Sequence, residues 1–141
     1  YLSLLKSSFV IFELPAFSKN PRKEIAKSKK YYFWDTGIRN ALIGQFLSLD
    51  SRTDVGALWE NFLSLERLKT HEYSQFFANY FFWRTYSQAE IDWIEQTGDQ
   101  LSAYEFKWQP KPTRTPKAFY DLHHTQVQTI NRDNYLNFIS S

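Results

Sequence analysis

Apolar and polar residues alternate with a period of two from Glu90 to Trp93 in Glu90-Ile-Asp-Trp-Ile-Glu95 and again through Tyr104-Glu-Phe-Lys-Trp108. Each segment reads as a strand, because successive side chains of an extended chain point to opposite faces. Strict alternation places Glu90 and Asp92 on one face with Ile91 and Trp93 on the other, and sets Glu105 and Lys107 against Tyr104, Phe106 and Trp108. Thr97-Gly-Asp-Gln100 joins the two. With Gly98-Asp99 as the central pair of a two-residue hairpin, a type that favours Gly first, Asp92 faces Glu105 across the ladder.

The rest of the chain reads as follows. Tyr1 to Ser7 has the pattern of a helix end, Phe9 to Leu14 that of a strand closed by Pro15, Ser18 to Lys30 that of a polar basic loop, and Lys30 to Trp34 that of another strand. Helix, strand, basic loop, strand is what remains of a winged helix cut internally, so residues 1–29 are expected to be such a remnant with a basic linker and residues 30–141 a separate unit. Asp35 or Thr36 caps a short helix through Phe46. Asp54 precedes a longer helix whose stripe is Val55, Leu58, Trp59, Phe62, Leu65 and Leu68. Glu60 lies beside that stripe, under the gap left by Gly56. Taken alone, its simplest partner is solvent or Arg67, two turns on. Ala78 to Tyr86 is an aromatic strand, Lys117 to His123 a short helix, Thr125 to Ile130 a last strand and Tyr135 to Ile139 an apolar tail. A long helix, a three-strand meander, a helix and a final strand define an α/β layered domain, since the last strand needs a helical crossover to rejoin the sheet.

Composition narrows the chemistry. The chain has 141 residues with neither Cys nor Met. Without Cys there are no disulfides, thiolate metal sites or cysteine nucleophiles, so a metal would be held by oxygen or imidazole. A start at Tyr1 without an initiator Met reads as a fragment of a longer protein. With no signal-peptide pattern and no apolar run of membrane length, a cytoplasmic location without membrane contact is expected. Net charge is only +2, but Lys19, Arg22, Lys23, Lys27, Lys29 and Lys30 cluster around one acid, Glu24. Lys107, Lys111, Arg114 and Lys117 form a second basic set. Such clusters bind phosphate backbones or are simply solvated loops. His71, His123 and His124 have no metal-ligand spacing and read as ordinary polar residues.

Opposed strand residues have Cβ atoms about 4.5–5.5 Å apart, close enough for Asp92 and Glu105 to share a divalent cation, with Lys107 two residues along. The competing reading is a solvated stripe in which Asp92 pairs with Lys107.

An acid on a helix, an acid on the second strand and Glu-x-Lys on the third resemble the PD-(D/E)XK nuclease superfamily, with Glu60, Asp92, Glu105 and Lys107 at the matching positions. Lys30-Tyr-Tyr-Phe-Trp-Asp-Thr-Gly37, Val55-Gly-Ala-Leu-Trp-Glu-Asn-Phe62, Phe82-Trp-Arg-Thr85, Glu90-Ile-Asp-Trp93 and Tyr104-Glu-Phe-Lys-Trp108 together resemble the nuclease-like C-terminal domain of a family of prokaryotic AAA-type ATPases, over roughly Lys30 to Ile139. The resemblance implies a restriction-endonuclease-like αβββαβ core with a mixed sheet flanked by helices, following an ATPase module and a winged helix. It also implies metal-dependent phosphodiester hydrolysis on DNA. Mg²⁺ or Mn²⁺ would be held by Asp92 and Glu105, with the Phe106 carbonyl and Glu60 completing the site. Lys107 would orient water or neutralise phosphate, and Arg84 would contact phosphate or pair with Glu90 or Asp92. Ile91 stands where the superfamily name has Pro. No Gly-x-x-x-x-Gly-Lys-Ser/Thr loop is present, so ATP binding would belong to the missing N-terminal part of the parent protein. One fold hosts active and silent members, so a catalytically inactive module that binds nucleic acid or docks a partner is the alternative.

Overall fold

A computed structural model describes residues 1–141. A short helix, α1 (Leu2–Ser7), buries none of its residues and leads into strand β1 (Ile11–Pro15). Ile11, Phe12 and Leu14 turn inward. Strand β2 (Lys29–Phe33) pairs antiparallel with β1, setting Leu14 opposite Lys30 and Phe12 opposite Tyr32. Helix α2 (Thr36–Leu42) starts where the Asp35 carboxylate accepts hydrogen bonds from the amides of Gly37 and Ile38, at 2.6 and 3.2 Å. Such a cap satisfies amides that a helix start leaves without intrahelical partners.

After a single 3₁₀ turn at Leu49–Ser51, the apolar stripe forms α3 (Val55–Tyr73). Asp54 precedes α3 but does not cap it through its side chain, because Arg39 and Arg52 take its carboxylate at 2.8–3.0 Å. Strands β3 (Asn79–Arg84), β4 (Glu90–Thr97) and β5 (Gln100–Phe106) follow as an antiparallel meander. Helix α4 (Lys117–His123) then carries the chain to β6 (Val127–Ile130), which lies parallel to β5, and α5 (Tyr135–Ser140) closes the chain. The mixed sheet has the order β3-β4-β5-β6. From α3 to β6 the elements run αβββαβ, with the expected helical crossover before the parallel strand.

Helices cover both faces of this sheet. Leu63 and Leu65 of α3, Phe138 of α5, and Phe82, Trp93, Tyr104 and Phe106 of the sheet form the larger core cluster. Phe119 of α4 packs on the other face with Trp83, Ile91, Ile94 and Ala103. The boundary expected after residue 29 falls inside β2, after its first residue. Phe12 and Leu14 of β1 and Tyr32 of β2 share the larger cluster with Trp59 and Phe82. A parallel bridge from Ala16 to Phe82 ties the hairpin to β3. No helix is long and apolar enough to cross a membrane.

The alternation expected along β4 breaks at one point. Phe81 and Trp83 of β3 pair with Ile94 and Ile91, three steps on β4 against two on β3. The extra residue is a β-bulge spanning Asp92-Trp93. Ile91 therefore joins Ile94 in the smaller cluster while Trp93 enters the larger one, so Ile91 and Trp93 do not share a face.

Candidate functional site

Glu60 is placed by its neighbour. The Asn61 side chain donates to the Phe33 carbonyl and accepts from the Phe33 amide, both at 2.8 Å, so α3 is clamped to β2 as a paired strand would be. That clamp brings Tyr32 and Lys30, two residues apart on one strand face, onto the Glu60 carboxylate. The Tyr32 hydroxyl donates to Glu60 Oε1, and Lys30 Nζ donates to the same oxygen at 3.0 Å. Arg67, the partner considered for Glu60 from helical spacing, instead holds the buried Glu95 in a two-pronged ion pair at 2.7 and 2.8 Å.

Lys30 joins three acids. Its ammonium lies 2.5 Å from Glu90 Oε1 and 3.9 Å from Asp92 Oδ1, in addition to Glu60. Burial opposes its charge, but Glu60, Glu90 and Asp92 outweigh burial and raise its pKa above the ordinary lysine value.

The β4–β5 ladder has the register expected from the turn, with Trp93 opposite Tyr104 and Thr97 opposite Gln100. It ends there, one step before Asp92 and Glu105. Beyond that end, Asp92 Oδ2 accepts the Phe106 amide at 2.7 Å, so Phe106 touches the site through its N–H. Burial, then the charges of Glu60 and Glu105, push the Asp92 carboxyl up to about 8. Glu105 is also raised, first by burial and against the pull of Lys107, whose ammonium is 3.2 Å away. Four acids from α3, β4 and β5 thus feel one another around two lysines. An open cleft of about 310 Å³ beside Glu60 is lined by Lys30, Tyr32, Arg39 and Asn61 among others.

All-oxygen donors suit a hard divalent ion such as Mg²⁺ or Mn²⁺. As they stand, however, no three acidic or imidazole side chains are gathered about a common point. The cation among Glu60, Glu90 and Asp92 is the Lys30 ammonium. The sequence pattern sets Lys30 where the basic loop passes into the next strand and gives Lys30, Tyr32 and Asn61 no role in the site. The alternation of Lys30-Tyr-Tyr-Phe was the available signal, since it sends Lys30 and Tyr32 to one face.

Arg84 reaches Glu90 at 3.3 Å, one of the two readings available for it. Lys19, Arg22, Lys23, Lys27, Lys111, Arg114 and Lys117 are all exposed. The two basic sets meet at one point, where Lys23 and Lys117 line a shared surface cleft with Asp121. Glu24, the acid within the first set, holds them together. Fully buried, it accepts the Lys19 and Asn20 amides through Oε1, both at 2.8 Å. Its Oε2 meets the Trp83 indole N–H and, at 2.6 Å, His123 Nε2 of α4. Burial works to raise the Glu24 pKa, but these hydrogen bonds prevail and lower it. His123 is therefore a buried anchor, and His71 Nδ1 meets the Tyr80 hydroxyl at 2.6 Å.

An α/β domain with a mixed sheet and a cluster of acids and lysines at the open end of its central hairpin is the class that fold and site define. The chain belongs to the family described as Domain of unknown function (DUF4143), whose match covers residues 55–137, more than half of its length. That family is often found in proteins associated with AAA-type ATPases. Residues 1–49 match a second domain of unknown function, DUF8612. The chain is 32% identical over 119 residues to uncharacterized proteins of Mycobacterium bovis and Mycobacterium tuberculosis. That alignment covers 82% of this chain and 25% of each relative, so the chain spans about a quarter of the curated relatives' length. No solved structure matches it.

Proposed function

We propose that this chain is a nuclease-like domain of restriction-endonuclease type that holds Mg²⁺ or Mn²⁺ on Asp92, Glu105 and Glu60 and hydrolyses phosphodiester bonds in DNA. In the parent protein it would follow an ATPase module and a winged helix. The observation that carries this reading is the mutual electrostatic influence of Glu60, Asp92 and Glu105, acids from three separate elements in an αβββαβ order.

The bound ion would stabilise the charge of the phosphate oxygens and lower the pKa of the attacking water. Glu105 anchors Lys107, whose half-exposed ammonium is free to orient that water or to meet the scissile phosphate. Asp92 is held in place by the Phe106 amide, so its Oδ1 keeps its aim. Arg84, Lys23 and Lys117 would contact the backbone of the strand. The second reading, a silent module that binds nucleic acid or docks a partner, is favoured by the ammonium already lodged among the acids.

A plasmid-nicking assay and a gel shift on the wild type and Glu105→Ala separate the two. An active nuclease binds DNA and nicks it with Mn²⁺, and the variant binds as well or better but does not nick. A silent binding module shifts DNA in both forms without nicking, and a protein-docking domain does neither.

A further inference from the structure

We infer that the Lys30 ammonium is a built-in counter-cation of the acidic cluster, which a divalent ion must displace before Glu60 and Asp92 can hold it. This rests on the metal reading proposed above.

The placement of Lys30 is specific. Its side chain is only 18% exposed, its Nζ lies 5.2 Å from the centre of the Phe82 ring, and its contacts are to acids from α3 and β4. Lys107, by contrast, is 48% exposed and touches Glu105 alone. The two lysines therefore divide the work, one sealing the cluster and the other facing outward. Without Lys30, Glu60 and Glu90 would stand beside the buried Asp92 carboxyl with no cation between them, and like charges in such a setting repel strongly.

An ammonium and a divalent ion compete for the same carboxylate charge. Glu60 Oε1 already accepts from both Tyr32 and Lys30. Asp92 Oδ2 is taken by the Phe106 amide, which leaves Oδ1, 3.9 Å from Lys30 Nζ and too far for a direct hydrogen bond. Oδ1 is thus open to an incoming ion, and Glu60 offers its full charge once Lys30 withdraws. Glu90 gives the displaced ammonium somewhere to rest. It lies at the rim, makes the 2.5 Å contact to Lys30 and also meets Arg84, so Lys30 swings outward without losing its last partner.

The test is calorimetric titration of Mn²⁺ into the wild type, Lys30→Met and Lys30→Arg, with thermal melts at each metal concentration. Lys30→Met should melt lower than the wild type without metal and bind Mn²⁺ about tenfold more tightly, because a competing unit charge a few ångströms away is gone. Mn²⁺ should also recover the stability that this variant loses, which a purely structural lysine would not allow. Lys30→Arg keeps the charge and should bind no more tightly than the wild type. Equal or weaker binding by Lys30→Met overturns the inference while leaving the metal reading intact. Should Lys30→Met fail to fold, lysine-selective ¹⁵N NMR of the wild type decides. The protected Lys30 ammonium signal should shift and exchange faster as Mg²⁺ saturates the carboxylates, and an unmoved signal at saturation overturns the inference. If neither ion binds the wild type by any readout, the metal reading fails and the inference with it.

Discussion

Folding buries the Asp92 carboxyl among other acids. An unfolded chain releases its proton near 3.8, whereas the folded protein holds it up to about 8 because burial and the neighbouring Glu60 and Glu105 disfavour the anion. Between those values the folded state binds a proton that the unfolded state has lost. The sign follows: the contribution is complete below the unfolded value and lost as pH rises through the folded one. The metal-free protein should therefore become less stable across that window. Asp92→Asn should flatten the profile and be the more stable protein at its alkaline end, as urea unfolding at several pH values would register. A slope of the same size in the variant would show that another group is responsible.

A few long-range polar contacts add to the apolar cores in fixing how the elements meet. Arg67 ties α3 to β4 through Glu95 and reaches the Phe138 carbonyl of α5 at 2.5 Å, and the Trp93 indole N–H donates to the same Glu95. Arg67→Met should cost about 3–5 kcal/mol, because Glu95 stays buried without its cation. Arg67→Met combined with Glu95→Leu should recover much of that loss in chemical denaturation, since the uncompensated charge is gone. The central hairpin was readable from the sequence, because Gly98, at φ +60°, takes a backbone conformation that costs other residues more, and strict pairing outward from it sets every later partner. The helices were readable from their stripes and breakers. The bulge at Asp92-Trp93 was only hinted at: the adjacent apolar pair Trp93-Ile94 interrupts the alternation, but only the pairing with β3 exposes the extra residue. The role of Lys30 was not readable, since its carboxylate partners lie 30 to 62 residues away in the chain. A local pattern carries charge and face but not which distant acid a lysine will meet.

At the scale of the whole molecule, an acidic, lysine-sealed cleft and an exposed basic surface belong to one body of 141 residues. If the basic residues track a phosphate backbone, DNA affinity should fall steeply with salt, with about 0.9 in the log–log slope for each contact. Reversing Lys23 and Lys117 to Glu should lower that slope and weaken binding without changing the Mn²⁺ response of the acids. An unchanged slope would remove this surface from any nucleic-acid interface.

The buried link between Glu24 and His123 has a temporal meaning as well. During synthesis the loop carrying Lys19 to Lys27 emerges long before α4, and its one acid has no imidazole to meet until 99 further residues have been made. Closing so long a loop costs chain entropy before the contact rewards it. The first basic segment is thus made early as a chain and anchored only after α4 exists, so the nascent polypeptide lacks this tie across its cationic face until residue 123 has been made.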